Sequence, residues 1–329
     1  MRKFALAFAL LALAPILNAA PASAQTGSNP QTYISGLGTD SGTCGRAAPC
    51  LTLTYTLTQT QASGDVTVVD SWISPNENVV ITGDVSIHGT GVFAEFGPQS
   101  GDALTINAGA SDTVQLDHLQ IHNFGTATNG IVFNSGHKLR LRDNSGISGF
   151  NPSGVSLLFS PGGTGSQDSL LSIEGDSHIG GGGVGNVLVR PVGSGSRGAQ
   201  VEIRDSVILD SNTGYGFKID TTGGPTAGSE AVISNSSIHD VGTNAITVLA
   251  PSVPGHVVVY QTNIDHAENF GVYANGAMAQ VLLDNSTINH SMGTGVEVNA
   301  SGIIGSFGNN SINFTNNNNT GVLTPQSLH

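Results

Sequence analysis

Charge is scarce in this chain. Only 10% of its 329 residues are Asp, Glu, Lys or Arg, against about 25% in an ordinary soluble domain. Basic residues are scarcest, 10 Lys and Arg against 23 Asp and Glu. Two of them, Arg2 and Lys3, stand in an N-terminal leader, so without it the net charge falls from −13 to about −15. That argues against nucleic acid as a partner, because phosphate binding needs basic patches that release counterions. It disfavours an anionic membrane surface for the same reason. Cysteine is nearly absent: Cys44 and Cys50 are the two, too few for a four-ligand structural zinc site and without a nearby histidine, so no metal is expected there. Trp72 is the one tryptophan and aromatics make up 5%, which argues against a row of stacking platforms. Beyond the leader no apolar run is long enough to span a bilayer.

What is present begins with that leader. Arg2-Lys3, the apolar Phe4 to Leu17 and the small residues Ala22-Ser23-Ala24 read as a secretory signal peptide cleaved after Ala24, which places the chain in the periplasm or outside the cell. In that compartment Cys44 and Cys50 are expected to form a disulfide around a short loop. A surface so poor in charge must be built from Ser, Thr, Asn and Gly, which suits a neutral hydroxyl-rich partner and equally suits tight turns.

A repeated phrase organises the rest. Val201-Glu-Ile-Arg-Asp-Ser-Val-Ile208, Ala231-Val-Ile-Ser-Asn-Ser-Ser-Ile238, Val257-Val-Val-Tyr-Gln-Thr-Asn-Ile264 and Val281-Leu-Leu-Asp-Asn-Ser-Thr-Ile288 end on an anchor isoleucine. The series runs Ile87, Ile121, Ile147, Ile179, Ile208, Ile238, Ile264, Ile288, Ile312, with gaps of 24 to 34 residues. Periods of that size mark a solenoid in which each repeat covers the one before it. Period-two alternation precedes each anchor, and a second short strand follows, at Gly130, Gly154, Asn186, Gly216, Ala245, Gly271, Gly295 and Gly321. No window of the repeat region has helical periodicity. Three short parallel strands per turn, at about 4.8 Å per rung, predict an all-β, single-chain parallel β-helix of about nine rungs and about 40 Å. The variable rung length favours the right-handed form, and the second strand per repeat argues against a leucine-rich repeat.

Stacked rungs predict side-chain ladders. Asp84, His118, Asn144, Asp176, Asp205, Asn235, Gln261, Asn285 and Asn309 stand three positions before their anchors, and Ser145, Ser177, Ser206, Ser236, Thr262 and Ser286 come next. Such a polar column serves turn backbone groups and removes its aspartates from any catalytic set. The expected organisation is a leader at 1–24, a cap at 25–75 with the disulfide, the coil at 76–324 and a tail at 325–329. Within the cap, Ala47 to Ala62 fits a short helix with Leu53 and Leu57 on one face, though Leu51 to Leu57 also alternates as a strand does.

Thr32-Tyr-Ile-Ser-Gly36, Cys44…Pro49-Cys50, Asp112-Thr-Val114 and Ser306-Phe-Gly-Asn-Asn-Ser-Ile-Asn313 resemble an exported family of alphaproteobacteria described only as right-handed parallel β-helix repeat proteins. The resemblance covers nearly all of the chain after the leader. It implies the pectate-lyase-like solenoid fold and brings no activity with it.

Three groups compete for a chemical role. The column Asp117, Arg142, Glu174, Arg204 alternates in sign at rung spacing and reads as an ion ladder, in which an arginine keeps its proton. Just after the anchors, Asp210, His239-Asp240, Asp265-His266 with Glu268, and Asn289-His290 form an outward column, with His88, His122 and Asn123 in the same place earlier. Carboxylates and imidazoles at this spacing supply acid–base pairs or cation ligands; the competing account is a turn column capping strand ends. Asp210, His239, Asp240, Asp265, His266 and His290 are therefore the catalytic candidates, and Tyr215, Tyr260 and Glu268 the binding candidates. Phe133, Phe159 and Phe217 are expected inside the coil, Trp72 in cap packing, and Gly180 to Gly183 in a turn. The function that fits best is a secreted solenoid binding polysaccharide or cell-envelope glycan without catalysis and without a cofactor. The alternative is a carbohydrate-active enzyme, a polysaccharide lyase or glycoside hydrolase, with calcium if it is a lyase.

Overall fold

The computed structural model describes residues 25–150, 154–162, 167–211, 213–313, 315–320 and 323–326. The leader at 1–24 lies outside the described residues. The chain winds into a parallel β-solenoid of about nine turns, with three long parallel sheets of twelve, ten and ten strands. Each turn contributes one strand to each sheet, as in Ala199–Arg204, Val207–Ser211 and Tyr215–Asp220. Among the described residues no helix is long and apolar enough to cross a membrane.

The period-two pattern sets which side chains face inward. Along Ala199–Arg204 buried and exposed residues alternate strictly, and Val201 and Ile203 stack over Ala231 and Ile233 of the next rung. The anchors form a continuous column in the second sheet, pairing Ile121↔Ile147↔Ile179↔Ile208↔Ile238↔Ile264↔Ile288↔Ile312. Each fully buried isoleucine contributes about 1.5–3 kcal/mol of burial free energy. The glycine that opens the third strand belongs to the same contact. A Cβ on Gly216 would stand 2.6 Å from Ile238 Cγ2, and one on Gly271 would stand 2.4 Å from Ile288 Cγ2. The two most regular features of the repeat are thus one packing requirement. Phe133, Phe159 and Phe217 are fully buried as expected, and the Phe133 and Phe159 rings stack at 4.4 Å.

One expected anchor is wrong. Ile87 lies in the first sheet, paired with Val66 and Leu116; the second-sheet partner of Ile121 is Phe96. Asp84, counted back from Ile87, therefore leaves the polar column. The column holds from His118 to Asn285, whereas in the last rung Gly308 rather than Asn309 takes the positive φ. His118, Asn144, Asp176, Asp205, Asn235, Gln261 and Asn285 all have positive φ, which Asn and Asp adopt more readily than other residues with a side chain. The serines behind them bridge rungs: Ser236 Oγ accepts from Ser206 N at 3.3 Å, and Ser286 Oγ accepts from Thr262 N at 3.2 Å. At the far end Asn317–Thr320 fills the third-sheet slot expected at Gly321, while Leu323 pairs with Ile304 of the first sheet. Gly321 itself lies outside the described residues.

Cap and coil interleave at the N-terminus. Asn29–Ile34 and Thr60–Val68 already belong to the first sheet, and Trp72–Ser74 to the second, so the coil starts before the repeat phrase is visible. Between them a helix, Leu53–Gln59, buries Leu53 and Leu57 and is capped by Thr52, whose side chain accepts from Tyr55 N. The buried Glu77 carboxylate accepts from Leu53 N and Thr54 N. Burial nevertheless pushes its carboxyl above the ordinary 4.5, against these hydrogen bonds. Trp72 is fully buried and donates Nε1–H to Leu51 O at 2.7 Å. Cys44 and Cys50 form the disulfide.

Candidate functional site

Two positions after the anchors from Ile147 to Ile288 the second sheet makes the same left-handed kink. In successive rungs the kinked residues are Gly149, Gly181, Asp210, Asp240, His266 and His290, all with positive φ. The ladder skips them, running Leu209↔His239 and then Ser211↔Val241, and His239↔Asp265 and then Val241↔Ala267. Glycine fills the kink in two rungs, and aspartate or histidine fills it in the next four. The backbone therefore limits the residue types at this column without dictating them.

The kinks bring most of the catalytic candidates onto one surface. Asp210, Ser211, Asp240, Val241, Gly242, His266, Ala267, Glu268 and Met292 line an open groove of about 280 Å³ along the coil. His239 lies next to it, its Nδ1 2.8 Å from Asp240 Oδ2. At the C-terminal end Asp265 is bracketed by two imidazoles, with His290 Nδ1 2.8 Å from Oδ1 and His266 Nδ1 3.3 Å from Oδ2. The two rings stack 4.9 Å apart, 20° from parallel. Partial burial works to raise the Asp265 carboxyl, but the His290 hydrogen bond and the neighbouring imidazoles hold it below the ordinary value. Asp210 and Glu268 differ from their neighbours: neither side chain has a hydrogen-bond or ion-pair partner among the described residues.

The binding candidates do not converge. Glu268 lies in the groove, but Tyr215 opens a third-sheet strand rather than sitting in a turn. Its ring lies against Gly185, and its hydroxyl is buried without a hydrogen bond. Desolvation, then the Asp220 charge, raises that hydroxyl far above its ordinary value. Tyr260 ends a first-sheet strand and is 40% exposed. His122 stays in the second sheet, with Nδ1 3.0 Å from Ser148 Oγ, and Asn123 Oδ1 accepts from Gly125 N and Ala127 N as a turn cap. Among the groove residues that sequence reasoning missed, Met292 is the most exposed side chain, at 66%; its place two residues after His290 was the available signal.

His88 belongs instead to the ion ladder. It sits between Asp117, 2.8 Å from Nδ1, and Asp65, 3.5 Å from Nε2. Arg142 pairs with Asp117 in register, and Glu174 gathers Arg140, Arg142 and Arg204 at 2.7, 3.4 and 2.8 Å. The ladder is thus longer than its four expected members, and it leaves these arginines paired. Its ends titrate in opposite senses. The Asp117 hydrogen bond raises His88 above the ordinary 6.5, so its stabilisation is complete below 6.5 and is lost as pH rises through the higher folded value. Glu174 is held below 4.5 despite burial, by the Arg140 hydrogen bond and the arginine charges. Its stabilisation is complete above 4.5 and is lost as pH falls through the lower folded value. The ladder's contribution is therefore complete between about 4.5 and 6.5. Melting temperatures measured from acid to alkaline pH should decline above that window, and His88→Asn should flatten the alkaline decline while leaving the Glu174 share of the acid limb in place.

No protein-family model matches the chain, and comparison with curated proteins and with solved structures returns no match.

Proposed function

We propose that this is an exported solenoid that binds a neutral, hydroxyl-rich polysaccharide or cell-envelope glycan in the groove of the second sheet, without cleaving it. One observation carries the reading. In a protein whose other charges are largely spent on its own ladders, Asp210 and Glu268 keep unpartnered carboxylates in a single open groove. A carboxylate accepts hydrogen bonds from sugar hydroxyls, each worth about 1.5–3 kcal/mol where the acceptor is charged. Three carboxylates within one groove repel a polyanion, which favours neutral glycan over uronate. The leader and the resemblance to exported β-helix proteins support the location. Cleavage by a glycosidase needs one carboxyl held protonated, and among the described residues a carboxyl pushed upward is Glu77, which is buried against the cap helix and away from the groove.

On a glycan array the wild-type chain is expected to retain neutral polysaccharides, and Asp210→Ala with Glu268→Ala together should weaken retention at least tenfold, by about 1.4 kcal/mol or more. Incubation with neutral and uronate polysaccharides, with and without calcium, should release no reducing or unsaturated ends. Retention unchanged in the double variant would overturn the site. A second reading has its own observation, the exposed His239–Asp240 and His290–Asp265 pairs, each at 2.8 Å, because a carboxylate-oriented imidazole is a general base. New chain ends that disappear in His239→Ala would establish the enzyme, a lyase or hydrolase, in place of the binder.

A further inference from the structure

We propose that Asp265, His266 and His290 form a binding site for a divalent transition-metal ion of the zinc type. The three residues come from two adjacent rungs of the second sheet, Asn263–Ala267 and Thr287–Asn289 with the residue after it. The kink turns His266 and His290 to the same side, with φ of 50° and 47°. One ligand atom from each lies within 4.8 Å of the others. Measured to Asp265, the imidazole Nδ1 atoms stand at 2.8 and 3.3 Å. Two donors about 2.1 Å from a tetrahedral zinc ion lie about 3.4 Å apart, so donors spread over as much as 4.8 Å would close in on the ion by rotation of the exposed imidazoles.

The donor set selects the ion class. Two imidazole nitrogens and one carboxylate suit zinc and its first-row neighbours, whereas calcium and magnesium take oxygen ligands. The site is therefore distinct from the calcium expected of a lyase. Three protein ligands leave coordination positions open toward solvent and toward the groove, where Asp240 and Glu268 flank His266. The kink is filled by aspartate in the two preceding rungs, Asp210 and Asp240, and by histidine in these two, which brings both Nδ1 atoms to the Asp265 carboxylate, His290 at Oδ1 and His266 at Oδ2. A cation bound there would take the Nδ1 lone pairs of the Nε2–H imidazole tautomers and offset the carboxylate charge.

The test uses the full mature chain, stripped with chelator and titrated calorimetrically with zinc chloride, and separately with calcium chloride. The wild type should bind one zinc ion with micromolar affinity, with no matching calcium isotherm. His266→Gln and His290→Gln should each weaken zinc at least about tenfold, whereas His122→Gln, on the same sheet, should not. Circular dichroism checks that the variants keep the coil. Independently of any variant, zinc should protect His266 and His290 of the wild type from diethyl pyrocarbonate while His122 still reacts. Absence of zinc binding, equal binding by the double glutamine variant, or no selective protection would overturn the site. The probe is the metal alone, so the outcome does not depend on whether the groove binds glycan.

Discussion

Glu174→Ala should destabilise the coil by about 2–3 kcal/mol, near the lower end of what removing one member of a buried ionic network costs. Glu174 is 14% exposed and contacts three guanidinium groups, on Arg140, Arg142 and Arg204. Its removal leaves Arg140 without a carboxylate partner and Arg142 and Arg204 with only the longer contacts to Asp143, Glu202 and Asp205 at 3.5–3.7 Å. Arg204 is 48% exposed and Arg142 34%, so water recovers part of the loss and the cost stays below that of a fully buried triad. Glu174→Gln keeps the shape and can still accept a hydrogen bond from Arg140, so it should lose less than the alanine variant. The difference between the two variants should shrink in about 1 M salt, where the Debye length falls to about 3 Å. Urea denaturation at neutral pH measures both. Equal stability of the wild type and Glu174→Ala would show that Glu174 adds nothing beyond solvent and the remaining pairs to Asp143, Glu202 and Asp205.

The ladder also shows what the sequence can and cannot reveal. Ile121 to Ile312 are legible because an inward isoleucine, a left-handed polar turn and a close-packed glycine recur together, and all three arise from one geometry. Ile87 misleads because Val85-Ser-Ile-His88 alternates as any first-sheet strand does, while the true second-sheet residue, Phe96, follows a longer turn and is aromatic. That shift of a single strand moved His88 from the ladder to the supposed site column. Arg142, Glu174 and Arg204 are legible from rung spacing, but the reach of Arg140 to Glu174 depends on side-chain conformation, which spacing does not encode. The groove stands between these cases. Its residues can be picked out as outward polar groups after each anchor, and the 24-residue step from His266 to His290 follows from the rung length. Their convergence on Asp265 comes from the positive-φ kink, and histidine carries only a weak signal for that conformation.

Phe159→Ala should cost about 3–5 kcal/mol, the usual range for removing a buried aromatic ring, and its effect should remain local. Phe159 is fully buried, stacked on Phe133 at 4.4 Å, and paired with Val189 on the other side. In a compact domain a loss of this size lowers the protection of the entire core. A solenoid is held by contacts between neighbouring rungs, so the cavity should loosen Ile131–Ser135, Val155–Phe159 and Gly185–Val189 most. Hydrogen exchange should show these amides opening at lower free energy, with little change in Asn263–Ala267 and Thr287–Asn289. Zinc and glycan titrations at a temperature where the variant is still wound should then match the wild type, because the groove is built from later rungs. Uniform loss of protection along the whole coil would mean that the rungs melt as one unit. The groove could not then be treated as energetically separate from the aromatic stack.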